Sequence, residues 1–311
     1  MLHAEDTNTL VLPVVSPFRL DLTAWVLRRR ERNKMDMWAN RSYSRILVMQ
    51  DVPVRLTVTQ AGEVGHPELK VNLQSRGPLL PGLQVQARAI VQKILGLNID
   101  VRPFYEITSH DLRLERLAEL CRGVRPPRFP TVFEALVNAI ACQQVSLDVG
   151  ILLLNRLSLM YGIEFYDGES RINAFPRPED LLDVPESELK QLGFSHQKAR
   201  TIKEVVQRVA DGELDQEQLE RATNEEVLKA LQSIRGIGRW SAEYVLLRGL
   251  GRLDVFPGDD VGAQNNVQTL LGLSSRPSYE RLKDITAGWK PYAGFIYFHL
   301  LLGKLHDKGF V

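Results

Sequence analysis

The 311 residues exceed what one small core needs and predict two or three domains. A net charge of +1 announces no polyanionic partner, so any nucleic-acid surface has to be a local patch balanced by acid elsewhere. Only Cys121 and Cys142 are present, which excludes a four-thiolate metal site and argues against a disulfide-stapled secreted fold.

Residues 1–13 carry His3, Glu5 and Asp6 and no long apolar run, which reads as neither signal peptide nor membrane span and predicts an intracellular protein. A helix is expected over 20–30. The segments 46–49, 54–59 and 69–73 are rich in β-branched residues. Leu56 and Val58, then Leu69, Val71 and Leu73, alternate with polar residues as half-buried antiparallel strands do. The breaker run at 77–82 precedes a second expected helix over 85–95. Beyond about 108 the pattern turns helical. Thr131 with Glu134, Asp183 with Glu186, and Thr223 with Glu226 have capping-box spacing. Ile202, Val205, Val206 and Val209 recur at helical period. The fold class is therefore α+β, with an N-terminal antiparallel sheet domain over 1–107 and an all-α region over 108–311.

The most informative stretch is Gln232-Ser233-Ile234-Arg235-Gly236-Ile237-Gly238-Arg239-Trp240. Two glycines around one apolar residue permit a tight reversal between helices and a close backbone approach. The second helix presents free amides and its positive dipole end, which suits a phosphate, and Arg235 and Arg239 flank that end. The plain alternative is an αα-hairpin with a glycine turn. About one helix later comes Asp254-Val255-Phe256-Pro257-Gly258-Asp259-Asp260. Read alone, either final acid is a helix cap worth about 1 kcal/mol.

In order and spacing, Gln143-Gln144-Val145-Ser146, Gly193-Phe194-Ser195 with Lys198-Ala199, the Gly236–Trp240 turn, Asp259-Asp260 and Trp289-Lys290-Pro291-Tyr292 resemble the HhH-GPD superfamily of DNA glycosylases. The likeness is to its alkylpurine branch, of the 3-methyladenine glycosylase II (AlkA-like) type. It covers about 110–300 firmly and the N-terminal part loosely, through Pro17-Phe18 and the 20–30 helix. It implies a sheet of the kind the family shares with TATA-binding proteins, then two helical lobes with the active-site cleft between them. It implies a hydrolase of base-excision repair that acts on damaged double-stranded DNA by base flipping, as a monomer away from membranes. The compartment would be the cytoplasm (nucleoid) in a bacterium or archaeon and the nucleus in a eukaryote.

By matching position Asp260 is the catalytic carboxylate, with Asp259 the fallback. A carboxylate suits the task because breaking an N-glycosidic bond builds positive charge on the sugar. Trp240 stands where strand-cutting relatives carry a nucleophilic Lys, which implies a monofunctional enzyme. Trp240, Tyr244, Tyr292 and Trp25 are the implied pocket aromatics, able to attract a cationic alkylated purine by about 0.5–2 kcal/mol per good contact. Gln144 aligns with the wedge that fills the gap left by the flipped nucleotide. Arg235, Gly236, Gly238 and Arg239 are implied to hold the DNA backbone, with Lys198 as an auxiliary phosphate contact. No cofactor is implied for catalysis; a structural Na+ or K+ is implied at the main-chain carbonyls of Gln232, Ile234 and Ile237. The basic run Arg28–Arg32 reads as a solvated helix face, and Trp289 as core. Gln264, Asn265 and Asn266 stand where relatives often carry Arg. The rival readings are a glycosylase for an oxidised or deaminated base and a non-catalytic hairpin module that only binds DNA.

Overall fold

The computed structural model describes residues 7–77, 81–168 and 170–310. His3, Glu5, Asp6 and the middle of the 77–82 run lie outside the described residues. In chain order the N-terminal part comprises β1 (Thr7–Pro13), α1 (Leu20–Arg28), β2 (Met37–Ala39), β3 (Ser42–Met49), β4 (Val52–Ala61), β5 (Glu68–Gln74), α2 (Leu83–Ile94) and α3 (Arg102–Thr108). There follow α4 (Leu112–Leu120), α5 (Val132–Cys142), α6 (Leu147–Tyr161), β6 (Glu164–Asp167), β7 (Ser170–Asn173), α7 (Pro178–Leu181), α8 (Glu186–Gln191) and α9 (His196–Ala210). The chain continues through α10 (Gln216–Arg221), α11 (Asn224–Gln232), α12 (Arg239–Arg248), α13 (Val261–Leu271), α14 (Tyr279–Ala287) and α15 (Ala293–His306).

The sheet has the order β1-β5-β4-β3-β2 with every pairing antiparallel. Its register sets Leu56 opposite Leu73 and Val58 opposite Val71. These alternating residues are buried against Leu20, Ala24 and Leu27 of α1 and Ala87, Val91 and Ile94 of α2, as the period-2 pattern predicts. The opposite side of α1 sends Leu22, Trp25 and Val26 into a second core with α3, α4, α13 and α15. A third core joins α5, α6, α9, α11 and α12. Helix α12 runs between the last two cores, which is why Ser241 to Arg248 are all buried.

The α+β class stands, with one addition: the short hairpin β6–β7 interrupts the region expected to be all helix. Helix α3 spans the expected change of character at 107/108. The first helix ends at Arg28, because Arg29 takes a left-handed backbone (φ 57°). Of the three capping boxes, only that of Thr223 and Glu226 closes reciprocally. Thr131 accepts from the Glu134 amide at 3.1 Å, but the Glu134 carboxylate turns away to Arg45. Asp183 starts no helix: it lies in the turn that closes α7, and Pro185 opens α8.

Arg45 of β3 is fully buried and pairs with Asp36 at 2.8 Å and with Glu134 of α5. Tyr43 donates to the same Asp36 oxygen at 2.8 Å. Burial pushes the Glu134 carboxyl up and the Arg45 charge opposes that shift. Sheet and helical body are thus joined by a buried ion-pair network.

Candidate active site

The hairpin forms as its glycines require. Gly236 has φ 95°, and a Cβ there would stand 2.3 Å from Thr201 Oγ1, so only glycine fits the reversal. Thr201 Oγ1 lies 3.0 Å from the Arg235 carbonyl, and Gln143 Nε2 donates to the Gly236 carbonyl at 2.9 Å. The turn is therefore tied to α9 and to the end of α5. The carbonyl of Ile234 accepts from the Ile237 amide at 3.0 Å. Those of Gln232 and Ile237 receive no hydrogen bond among the described residues, which leaves oxygens suited to a monovalent cation.

The loop before α13 is held from several sides. Buried Glu243 accepts from the Gly258 amide at 3.1 Å and from Tyr279 Oη at 2.6 Å. Burial pushes the Glu243 carboxyl up, and the Tyr279 hydroxyl bond counters that. Gln264 Nε2 donates to the Gly258 carbonyl at 2.9 Å, so this residue serves the loop from inside. Asp259 pairs outward with Arg239 at 2.8 Å, and the Arg239 guanidinium covers the Tyr279 ring at 3.4 Å.

Asp260 turns the other way. Its Oδ1 caps α13 by accepting from the Ala263 amide at 2.8 Å. Its Oδ2 accepts from Trp240 Nε1 at 3.3 Å and from Tyr297 Oη at 3.1 Å. Burial, then the Asp260 charge, pushes the Tyr297 phenol far up, which keeps it a donor. Both acids line the cavity, but Asp260 is fixed by three donors whereas Asp259 is bound to Arg239.

Asp260 lies in a cavity of about 1110 Å³. The walls are the loop 142–147, the start of α9, the hairpin, one face of α12 and the inner side of α15. Trp240, Tyr244 and Arg248 line it at intervals of one helical turn, and the Trp240 and Tyr244 rings lie 5.4 Å apart. Gln144 reaches it from an exposed, left-handed position (φ 52°).

Several expected residues prove to be elsewhere. Trp25 is not in the cavity wall: it is buried in the second core, 5.8 Å from the Phe310 ring and beneath Arg28. Tyr292 is likewise absent from the wall. It caps α15 and packs edge-on against Phe104 at 5.8 Å, and Tyr297, one and a half turns further along the helix, supplies the aromatic hydroxyl instead. Lys198 does line the cavity, but it is buried rather than on the surface, and its Nζ donates to the Ala141 carbonyl at 2.9 Å. Burial pushes that amine below its ordinary value. Trp289, by contrast, is core as expected, against Phe256 at 6.0 Å.

The basic run is a solvated face only in its second half, where Glu31 and Arg32 are exposed. Arg28 and Arg29 are buried, and Arg29 lines the cavity, donating to Tyr244 Oη at 2.9 Å and Asn138 Oδ1 at 2.6 Å. Arg29, Arg30, Arg248 and Tyr297 are among the wall residues that sequence reasoning missed. The helical period of α15 could have pointed to Tyr297, whereas no local pattern marks Arg29 as buried.

Residues 137–291 match the HhH-GPD superfamily base excision DNA repair protein family. DNA-3-methyladenine glycosylase 1 of Schizosaccharomyces pombe is 31% identical over 176 residues, which cover 55% of this chain and 73% of the yeast protein. This chain belongs to the HhH-GPD superfamily. A Bacillus subtilis relative named DNA-3-methyladenine glycosylase is 24% identical over 297 residues, covering 95% of this HhH-GPD chain and 97% of its own. The 3-methyladenine DNA-glycosylase structure from Archaeoglobus fulgidus superposes with a TM-score of 0.84 at 25% identity, covering 97% of this chain and 99% of that one. Among the described residues no helix is long and apolar enough to cross a membrane.

Proposed function

We propose that this protein is a monofunctional base-excision-repair DNA glycosylase that hydrolyses the N-glycosidic bond of alkylated purines of the 3-methyladenine and 7-methylguanine type. The observation that carries this reading is the Asp260 carboxylate, held by Ala263, Trp240 and Tyr297 inside a cavity of about 1110 Å³. The names of the Bacillus subtilis and Archaeoglobus fulgidus relatives supply the substrate class.

The damaged nucleotide leaves the duplex and its base enters the cavity beside Trp240 and Tyr244, while Gln144 fills the gap in the stack. Asp260 is then the negative charge nearest the sugar as its bond to the base stretches. A carboxylate already oriented by three hydrogen bonds stabilises that oxocarbenium-like state without reorganising. Trp240 offers no amine, so no Schiff base forms at that position and the product is an abasic site.

The hairpin serves the DNA backbone through the amides at Gly236 and Gly238 and through exposed Arg235, with Arg239 giving up its bond to Asp259 to join them. A Na+ or K+ would be held by the carbonyls of Gln232, Ile234 and Ile237, adding positive charge beside a phosphate. The enzyme acts as a monomer and uses no cofactor for the chemistry.

Replacing Asp260 tests the reading. Asp260→Asn should abolish release of methylated bases while binding to an abasic-site duplex persists. Unchanged release would refute the catalytic assignment, and a borohydride-trapped complex with abasic DNA would refute the monofunctional one.

A further inference from the structure

The hairpin belongs to one helical lobe: Ile234 and Ile237 pack among α5, α6, α9, α11 and α12. The other lobe, built on Leu114 of α4, Val267 of α13 and Leu300 of α15, also reaches the cavity. There α13 carries no charged side chain from Val261 to Leu271, so it offers a phosphate no cation. The cations come from the end of α15 instead. Lys304 and Lys308 line the cavity, and both are exposed.

A second groove, of about 320 Å³, continues from that point. It shares Asn266 and Lys304 with the cavity wall, so the two are contiguous. It forms where α15 lies close against α4: a Cβ on Gly303 would stand 3.0 Å from Leu117 Cδ1. Asn266 Nδ2 donates to the Leu300 carbonyl at 3.3 Å and ties α13 to the same place. Arg113 and Arg116 of α4 line the groove, and Asp307 is its one carboxylate among the described residues. Asp111 engages Arg113 at 2.7 Å, and Glu119 pairs with Arg122. Among the described residues Arg116, Lys304 and Lys308 have neither an ion pair nor a side-chain hydrogen bond, and Arg116 is exposed as well. A cation at the end of a helix offsets the dipole, which suits Lys304. That accounts for neither Lys308, which lies beyond α15, nor Arg116, in the middle of α4.

We propose that Lys304, Lys308 and Arg116 form a second backbone-binding surface, which follows the DNA strand leading away from the flipped nucleotide along this groove. Free cations at the surface hold duplex DNA by releasing the counterions condensed on its phosphates. Such contacts position the duplex without reading its sequence, as a repair enzyme that meets lesions anywhere requires. A duplex held from both lobes lies across the cavity mouth, and two local patches achieve this in a protein whose net charge is only +1. This inference rests on the proposed glycosylase function.

The test measures binding of the full chain to a labelled duplex with one abasic-site analogue, across a series of salt concentrations. Lys304→Gln with Lys308→Gln should flatten the plot of log affinity against log salt by about two units and weaken low-salt binding at least about tenfold. Adding Arg116→Gln should flatten it by about one unit more. Lys304→Arg with Lys308→Arg, which keeps both charges, should retain the parent slope. Arg41→Gln with Lys70→Gln removes the same charge from exposed sheet positions that line neither cavity nor groove, and should leave the slope within about half a unit. A parent slope in the Lys304 and Lys308 double variant, or equal flattening in the sheet pair, overturns the proposal. If the double variant does not fold, Lys308→Gln alone should flatten the slope by about one unit, and an unchanged slope there overturns it equally. A parent protein that binds no duplex refutes the glycosylase assignment itself, whereas one that binds with a slope indifferent to these residues refutes only the second surface.

Discussion

Tyr297 donates its phenolic hydrogen to Oδ2 of Asp260 over 3.1 Å, from a helix 37 residues further along the chain. The acid and its orienting group therefore sit on two helices, and the Trp240 indole approaches the same oxygen from a third. Tyr297→Phe keeps the ring against Phe256 and removes only the hydrogen bond. Hydrogen bonds to charged groups contribute about 1.5–3 kcal/mol, so base release should slow by roughly tenfold to a hundredfold. Single-turnover rates at saturating enzyme check this, with abasic-duplex affinity unchanged.

The neighbouring acids should behave very differently. Asp260→Asn should cost at least about a hundredfold in release, the scale set by removing one preorganised electrostatic group. Asp259 pairs with Arg239 at a partly exposed site, where such a pair contributes about 0–1 kcal/mol. Asp259→Asn should therefore slow release by less than about fivefold. Equal losses in the two variants would mean that the acids share the role.

Gly236→Ala places a methyl group against Thr201 Oγ1 and forces φ 95° on a residue that resists it. A melting temperature lower by several degrees is expected, from a cost of about 1–3 kcal/mol. Affinity for undamaged duplex should fall with it. A variant that binds DNA as tightly as the parent would remove the hairpin from the DNA-binding role.

Arg45→Met strands Glu134 and Asp36 as buried, unmatched carboxylates. Breaking a buried pair costs about 3–5 kcal/mol, readable as a shifted urea midpoint. Adding Glu134→Leu should recover part of that loss, since it removes one stranded charge. A double variant weaker than the sum of the two single ones would contradict the pairing.

His299 is fully buried in α15, its Nδ1 against the Phe295 carbonyl at 2.9 Å, and burial pushes its pKa from 6.5 down to about 4. The unfolded chain binds this proton below pH 6.5 and the folded one only near pH 4. The stability contributed by the neutral ring is thus complete above pH 6.5 and lost as the pH falls toward 4. Its size is about 3 kcal/mol. Urea titrations across that window should show the loss in the parent and a flatter profile in His299→Leu.

What the sequence made legible follows from the range of each signal. The sheet was readable because Leu56, Val58, Leu69, Val71 and Leu73 alternate locally, and the hairpin because the Gly-X-Gly pair marks a reversal and a glycine must occupy 236. Asp260 was singled out by the family resemblance of its spacing from that hairpin, and it lies in the same cavity wall as the hairpin. The pocket wall was read less well, because a wall is assembled from distant segments. Tyr292 and Trp25 had the right chemistry on the wrong side of their helices, and Tyr297 had no motif around it. Arg29 looked solvated, since a run of arginines gives no sign of which member will meet Asn138 and Tyr244 across more than a hundred residues. The β6–β7 hairpin escaped notice because each strand is only four residues long.

The Arg45–Glu134 pair has a consequence for how such a protein can be divided. Helix α5 carries Glu134 near its start and leads directly into Gln143, whose amide holds the hairpin turn. The N-terminal segment also supplies Arg29 and Arg30 to the cavity wall. Severing the sheet from the helices would thus maroon a charge in the interior and open one side of the substrate chamber. The sheet is not detachable cargo, and recombination between the two halves would exchange pocket chemistry along with scaffold. Tolerance to insertion belongs at exposed turns such as Gly212, after α9. The seam between sheet and helices is a place where the molecule has to be inherited whole.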